Sequence, residues 1–414
     1  MNSAAPAGVL DEQRRLDDLA PKLALGAVLV GLIGLAVSLV FGFIDGWAVF
    51  FRSYILNYAY VLSFALGALF FVLLQHVTRA GWSVVVRRLA EFVAGALPAL
   101  AVLFVPILVP VLLGFEGVYP WSNAEQRHAD PLLEWKSPYL NPAFFVVRCV
   151  VYFAVWAWLA RYYLRRSLEQ DQTGRVESTL AMQRWSGIGI VLYGLTLTFF
   201  SIDVIKSLAP EWFSTVFGVY YFSGCVVGFF ALLAVGMVGL QRAGRLSRSI
   251  TVEHYHDVGK LAFGFTVFWA YIAYSQYMLY WYANLPEETF WYSARQETPW
   301  WAGVSILLVI GHFVVPLLAL ISRFPKRRKN WLAAAALWVL VMHWVDVYYL
   351  VAPRAAQLHE AHPVSAAPLH VTDVSLLVGL GGLFLFAVVR LMAGRPLMPE
   401  RDPRLGESLA YENI

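Results

Sequence analysis

Apolar residues run through this chain in ten long stretches, broken by short polar loops. They fall near positions 22–42, 54–76, 88–113, 142–164, 185–206, 212–240, 257–283, 300–321, 331–351 and 371–392. About 20 apolar residues in a helix span the hydrocarbon core of a bilayer, and lipid offers no partner to a free backbone group. The pattern therefore predicts an all-α polytopic membrane protein with ten transmembrane helices.

Charge refines this reading. Of the 31 Lys and Arg residues, Arg148 falls inside the fourth stretch, and Arg52, Arg127, Lys136, Lys206, Arg295 and Arg354 lie on one set of alternate loops. The remaining basic residues all flank the other set. By the positive-inside rule this bias places both termini in the cytoplasm and supports an even number of spans. The expected organisation is a cytoplasmic polar tail over 1–21, a transmembrane domain over 22–393 and a cytoplasmic tail over 394–414. The first twenty residues, with Asp11, Glu12, Arg14, Arg15, Asp17 and Asp18, read as that polar tail rather than as a signal peptide. The net charge of +4 is then a membrane collar and no sign of nucleic-acid binding, in keeping with 59% hydrophobic residues and a mean hydropathy of +0.61.

Several chemistries are excluded by motif. Cys149 and Cys225 are the two cysteines, and no CxxC or CxxCH occurs, so the chain has no ligand set for an iron–sulfur cluster or c-type haem. No P-loop is present. The longest loop, 114–141, mixes polar and aromatic residues and suits either a partner or the chain's own helices.

Chemistry must then be sought among polar residues inside the spans, where a charge costs a few kcal/mol unless paired or wetted. Asp203 and Lys206 close the fifth span, His343 and Asp346 lie in the outer half of the ninth, and Asp257 and Lys260 open the seventh. Each pair is spaced i, i+3, which allows direct contact on one helix face. His343 with Asp346 suits proton transfer or a buried clamp between helices. Glu91 and His76 sit near cytoplasmic ends. His312, alone in the eighth span and toward the cytoplasmic half, reads first as a hydrogen-bonding residue between helices. Ser275, Gln276 and Tyr277 enrich the outer end of the seventh span in polar groups, either as part of an interfacial belt or beside the His343 region. Pro98, Pro106 and Pro110 predict a bent third span, either opening a hydrated cavity or serving packing.

Three stretches carry a resemblance. SIDVIKSLAPEWFSTVFGVYYFSG, over 201–224, resembles the helix–loop–helix signature of the NrfD-like (polysulfide-reductase membrane-subunit) family. YHDVGKLAFGFTVFWAYIAYSQYMLYWYANLPEE, over 255–288, is similar to the ActF type, the second NrfD-like membrane subunit of bacterial alternative complex III. HWVDVYYLVAP, over 343–353, is similar to the ninth span of that subunit. The likeness covers essentially the whole chain, with one departure: the family signature usually has an apolar residue where Lys206 stands. It implies two four-helix bundles, over about 54–206 and 212–351, flanked by the first and last helices. It also implies a bacterial cytoplasmic (inner) membrane and membership of a quinol:cytochrome c or quinol:oxidase electron-transfer complex. The partners would be the second NrfD-like membrane subunit, an iron–sulfur subunit, and multihaem and monohaem c-type cytochromes, with a terminal oxidase as a further candidate. Haem c and iron–sulfur clusters would belong to those partners and none to this chain, with quinone a candidate ligand.

The expected role is support of assembly together with a proton path, Asp203, His343 and Asp346 forming its outer half and Glu91 with His76 or His312 its inner half. The alternative is oxidation of quinol at His343 and Asp346 themselves. A secondary transporter is the remaining reading, hinted at by the proline-rich span.

Overall fold

The computed structural model describes residues 12–115, 117–353 and 369–413. Asp11 of the polar tail, Arg354 of the sparsely basic loops and the last residue of the 394–414 tail lie outside the described residues.

Among the described residues every regular element is helical. The long helices are α1 (Leu19–Asp45) and α2 (Trp47–Val77), then a broken third span made of α3 (Val84–Gly95), α4 (Leu97–Leu103) and α5 (Val105–Leu112). Next come α6 (Pro142–Thr173), α7 (Val176–Phe200), α8 (Phe217–Arg242) and α9 (Val252–Ala283). The short α10 (Pro286–Ser293), α11 (Pro299–Leu307) and α12 (Val315–Leu320) precede α13 (Lys329–Val351) and α14 (Val371–Met392). Proline opens α6, α10 and α11, where its missing N–H costs nothing. Gly174, at φ 67°, turns the chain out of α6 in the left-handed conformation that glycine adopts freely.

Nine helical segments among the described residues are long and apolar enough to cross a membrane, so the chain is a multi-pass membrane protein. The stretch expected over 257–283 forms α9, whose 32 residues give the length to span, but it is not among the nine. Its Tyr, Trp and Gln side chains dilute its apolar character.

The third span breaks at two of its three prolines, while Pro110 stays inside α5. Pro98 and Pro106 each sit in the first turn of a new helical segment. At the second break Phe104 N–H donates to Ala101 (3.3 Å) and Ile107 N–H to Phe104 (2.9 Å), which frees the carbonyls of Leu100 and Leu103. Two tyrosines of α2 take them up, Tyr58 on Leu100 (2.8 Å) and Tyr54 on Leu103 (2.7 Å). Side chains of a neighbouring helix thus satisfy the bend, as packing requires in lipid.

The core is built on α2 and α8. The apolar stretch of α2 is 94% buried, against 28% for α1. Helices α1 and α14 pack on each other through small residues. A methyl group added at Gly34 would lie 2.6 Å from Gly379 N and Ser375 O, and one at Gly382 would lie 2.7 Å from the backbone of Gly31. Ser38 and Ser375 hydroxyls meet across this seam at 2.6 Å. Close backbone approach of this kind holds helices together where lipid removes the hydrophobic drive.

Neither described terminal segment is a free tail. Leu397 N–H donates to Arg14 (2.7 Å) and Leu246 N–H to Gln13 (3.1 Å), so the two described end segments meet at one end of the bundle. Leu397 and Met398 are fully buried.

Candidate functional site

Two buried polar centres organise the membrane interior. The first is Asp203. It sits in a π-helical turn, Ser201–Ile205, that continues α7. Such turns insert an extra residue and redirect side chains, often at functional sites. Asp203 is wholly buried and grips Arg148 of α6 in a two-pronged pair, Nε to Oδ2 at 2.8 Å and Nη2 to Oδ1 at 3.1 Å. Tyr152 OH donates to the same Oδ2 at 2.7 Å, and Ser207 Oγ donates to the Asp203 carbonyl. Arg148 also donates to the Tyr139 carbonyl (2.8 Å) and lies over the rings of Tyr139 and Phe144. The i, i+3 spacing suggested Lys206 as the partner of Asp203. That pairing does not form. The π turn changes the register, and the guanidinium of another helix takes both carboxylate oxygens.

The second centre joins α8, α9 and α13 to the stretch linking α11 and α12. Asp346 is 1% exposed and accepts from Tyr220 OH (2.6 Å) and Trp269 Nε1 (3.0 Å). Among the described residues no cation lies within ion-pair distance of it. His343, one turn earlier on α13, bonds to Ser63 Oγ of α2 through Nε2 (2.8 Å). Its ring lies on Gly224 and Gly228 of α8, where an added methyl would approach it to 3.0 and 2.7 Å. His343 and Asp346 thus share a helix face, but each bonds to other helices rather than to its neighbour.

His312 corrects two expectations. It lies in a second π-helical turn, Leu308–Val314, with its ring centroid 6.3 Å from that of His343 and 4.0 Å from the Trp269 ring. It is therefore at the depth of His343, not in the opposite half. Among the described residues neither of its ring nitrogens has a hydrogen-bond partner, nor has His343 Nδ1. In place of the expected hydrogen bond between helices, it makes a tilted ring contact with Trp269.

The inner-half candidates separate. Glu91 is buried between Arg87 (3.3 Å) and Arg88 (3.0 Å). Arg87 reaches Asp402 (2.5 Å), and Arg88 reaches Asp171 (2.8 Å) and Ser167. This network ties α3, α6 and the carboxyl-terminal segment together. His76 stacks on Tyr163 at 5.3 Å, apart from His312. Asp257 and Lys260 do pair, at 2.5 Å.

On α9, Gln276 is buried and bridges Ser214 (3.0 Å) and Tyr292 OH (3.0 Å). Tyr277 meets the Tyr292 ring edge-on at 5.2 Å. Ser275 is half-buried, without such a role.

Arg148, Tyr152, Tyr220, Trp269 and Ser63 were not among the sequence candidates. A charge inside a span marked Arg148. Nothing distinguished Tyr220 or Trp269 from the other aromatics of the bilayer.

Arg295, on the loop after α10, is 1% exposed. It donates to the carbonyls of Tyr349 (2.9 Å) and Leu350 (3.1 Å) at the end of α13, and to Trp291 (2.8 Å) near the end of α10. Its guanidinium lies 3.2 Å from the Trp291 ring centroid. The counter-charge is thus two helix C-termini and an aromatic face. Burial pulls its pKa down to about 9, so it stays charged at neutral pH. Arg295→Gln is expected to lower stability by roughly 3 kcal/mol, because buried carbonyls lose charged donors. Arg295→Lys should recover only part, lacking the planar fork. Thermal unfolding in detergent, followed by circular dichroism, measures both.

Among the described residues no three His, Cys, Asp or Glu side chains converge on a point that could hold a metal ion. No family model matches the chain, and no curated protein matches it.

Proposed function

We propose that this chain is an integral membrane subunit of a quinol:electron-acceptor complex of the alternative complex III type. On this reading it crosses a bacterial cytoplasmic membrane ten times, with α9 as a crossing and both termini in the cytoplasm. Its helices form two four-helix bundles flanked by α1 and α14. It supports assembly and conducts protons, while iron–sulfur and c-type cytochrome partners and the second NrfD-like membrane subunit carry or surround the redox centres. The resemblance over 201–224, 255–288 and 343–353 supports this identity.

One observation carries the proton role. Asp346 is a buried carboxylate held by two neutral donors, next to an imidazole pair. Gaining or losing a proton there changes no ion pair. Asp203 differs, because protonating it would leave Arg148 buried without its counter-ion. The path therefore centres on Asp346, His343 and His312, and Asp203 serves as a clamp. Quinol oxidation at the same pair is the weaker reading. Both Asp346 oxygens and one His343 nitrogen are already engaged by protein donors and acceptors.

The test uses the complex purified through a tag on this chain and reconstituted into vesicles. The wild-type preparation should carry c-haem absorbance, and Asp346→Asn should assemble normally yet release fewer protons per electron. Purification without haem would remove the complex, and unchanged proton stoichiometry would remove the proton path.

A further inference from the structure

Helix α6 leaves the apolar core at an aromatic shelf. Trp158 and Tyr162 stack one turn apart on its outer face at 6.0 Å, and Trp185 of α7 meets them edge-on at 5.8 and 6.5 Å. Trp158 and Trp185 stay 44% and 40% exposed. Arg161 and Arg165, one turn apart, rise from the same face and are exposed. Among the described residues neither has a carboxylate within ion-pair distance. Their neighbour Arg166 is already engaged, by Glu169 at 3.1 Å and by the Tyr162 ring at 5.9 Å.

Depth sets the chemistry. Arg161 lies 19 residues beyond Pro142, where α6 begins. At 1.5 Å per residue this is about 28 Å, close to the roughly 30 Å hydrocarbon thickness. The two guanidinium groups therefore sit at the headgroup level. Below them the same face continues as Ala154, Val151 and Val147, the valines 50% and 56% exposed. A ligand with an anionic head and an apolar tail matches both halves of this surface. An acidic peptide would match only the upper half. Guanidinium groups suit a phosphodiester because their planar donors meet two oxygens at once.

We propose that the shelf of Trp158, Arg161, Tyr162, Arg165 and Trp185 binds the headgroup of an anionic phospholipid, with an acyl chain lying along Val151 and Val147. The site is independent of the electron-transfer reading.

The test places the full chain in nanodiscs of equal phosphatidylglycerol and phosphatidylcholine and measures by native mass spectrometry which lipid stays bound. Wild type should retain phosphatidylglycerol preferentially. Each of Arg161→Gln and Arg165→Gln should weaken that preference roughly five-fold, and the pair roughly twenty-five-fold. Arg323→Gln, an exposed arginine elsewhere, should leave it unchanged, and Arg161→Lys with Arg165→Lys should keep only part of it, because an ammonium lacks the planar donor pair. Circular dichroism checks that each variant is folded. No lipid preference, an equal loss in Arg323→Gln, or displacement of the lipid by inorganic phosphate alone would overturn the proposal.

Discussion

Arg148→Gln is expected to destabilise the protein by roughly 3–5 kcal/mol, the range for removing one partner of a buried ion pair. The cost comes less from the lost attraction than from what remains. Asp203 would be left wholly buried with one neutral donor, Tyr152, on its carboxylate. No water reaches that depth without cost. Adding Asp203→Asn removes the stranded charge, so the double variant should regain at least half of the loss. Unfolding midpoints of the two single variants and the double, under one detergent condition, give the coupling between the sites. Additive losses would mean that the pair is not a unit and that Asp203 has another counter-charge. Tyr152→Phe removes only a neutral hydroxyl and should fall well short of the Arg148 change.

That pair also shows where sequence reading reaches its limit. Hydropathy located the spans because burial in lipid demands apolar length, and prolines located the breaks in the third span because a missing N–H has a fixed consequence. Helix ends were less legible. α2 begins at Trp47 rather than near 54, since Arg52 reads as loop while its backbone is already helical. α6 runs on to Thr173, past the apolar stretch, because helix formation does not stop at the bilayer edge. Partners were the least legible. Spacing along one helix suggested Asp203 with Lys206 and His343 with Asp346, yet the carboxylates and the imidazole bond across helices. A helix satisfies its own backbone, so its buried polar side chains settle on whatever neighbouring helices present, and one sequence does not state those neighbours. The π turns at Asp203 and His312 compound this, since an inserted residue leaves hydropathy unchanged while rotating all that follows.

A single methyl group at Gly67 is expected to disturb the second polar centre from a distance. At Gly67 the backbones of α2 and α8 approach closely. An added Cβ would fall onto the carbonyl oxygen of Cys225 and within 2.6 Å of Phe229 Cβ. The first obstacle is backbone, so no rotamer change relieves it, and the two central helices must separate. Ser63 lies one turn away on α2, and Gly224 and Gly228 form the surface of α8 on which His343 lies. Gly67→Ala should therefore lower stability by about 1–3 kcal/mol, as overpacking does in close-packed cores. It should also weaken the Ser63–His343 bond, although neither residue is altered. The nitrogen-15 signals of His343 in the labelled protein report that bond directly. Gly187→Ala, where an added methyl meets nothing within 4 Å, is the control and should be neutral or slightly stabilising through helix propensity. If Gly67→Ala costs no more than Gly187→Ala and leaves the His343 signals in place, α2 and α8 are not locked at Gly67, and the imidazole is held by Ser63 alone.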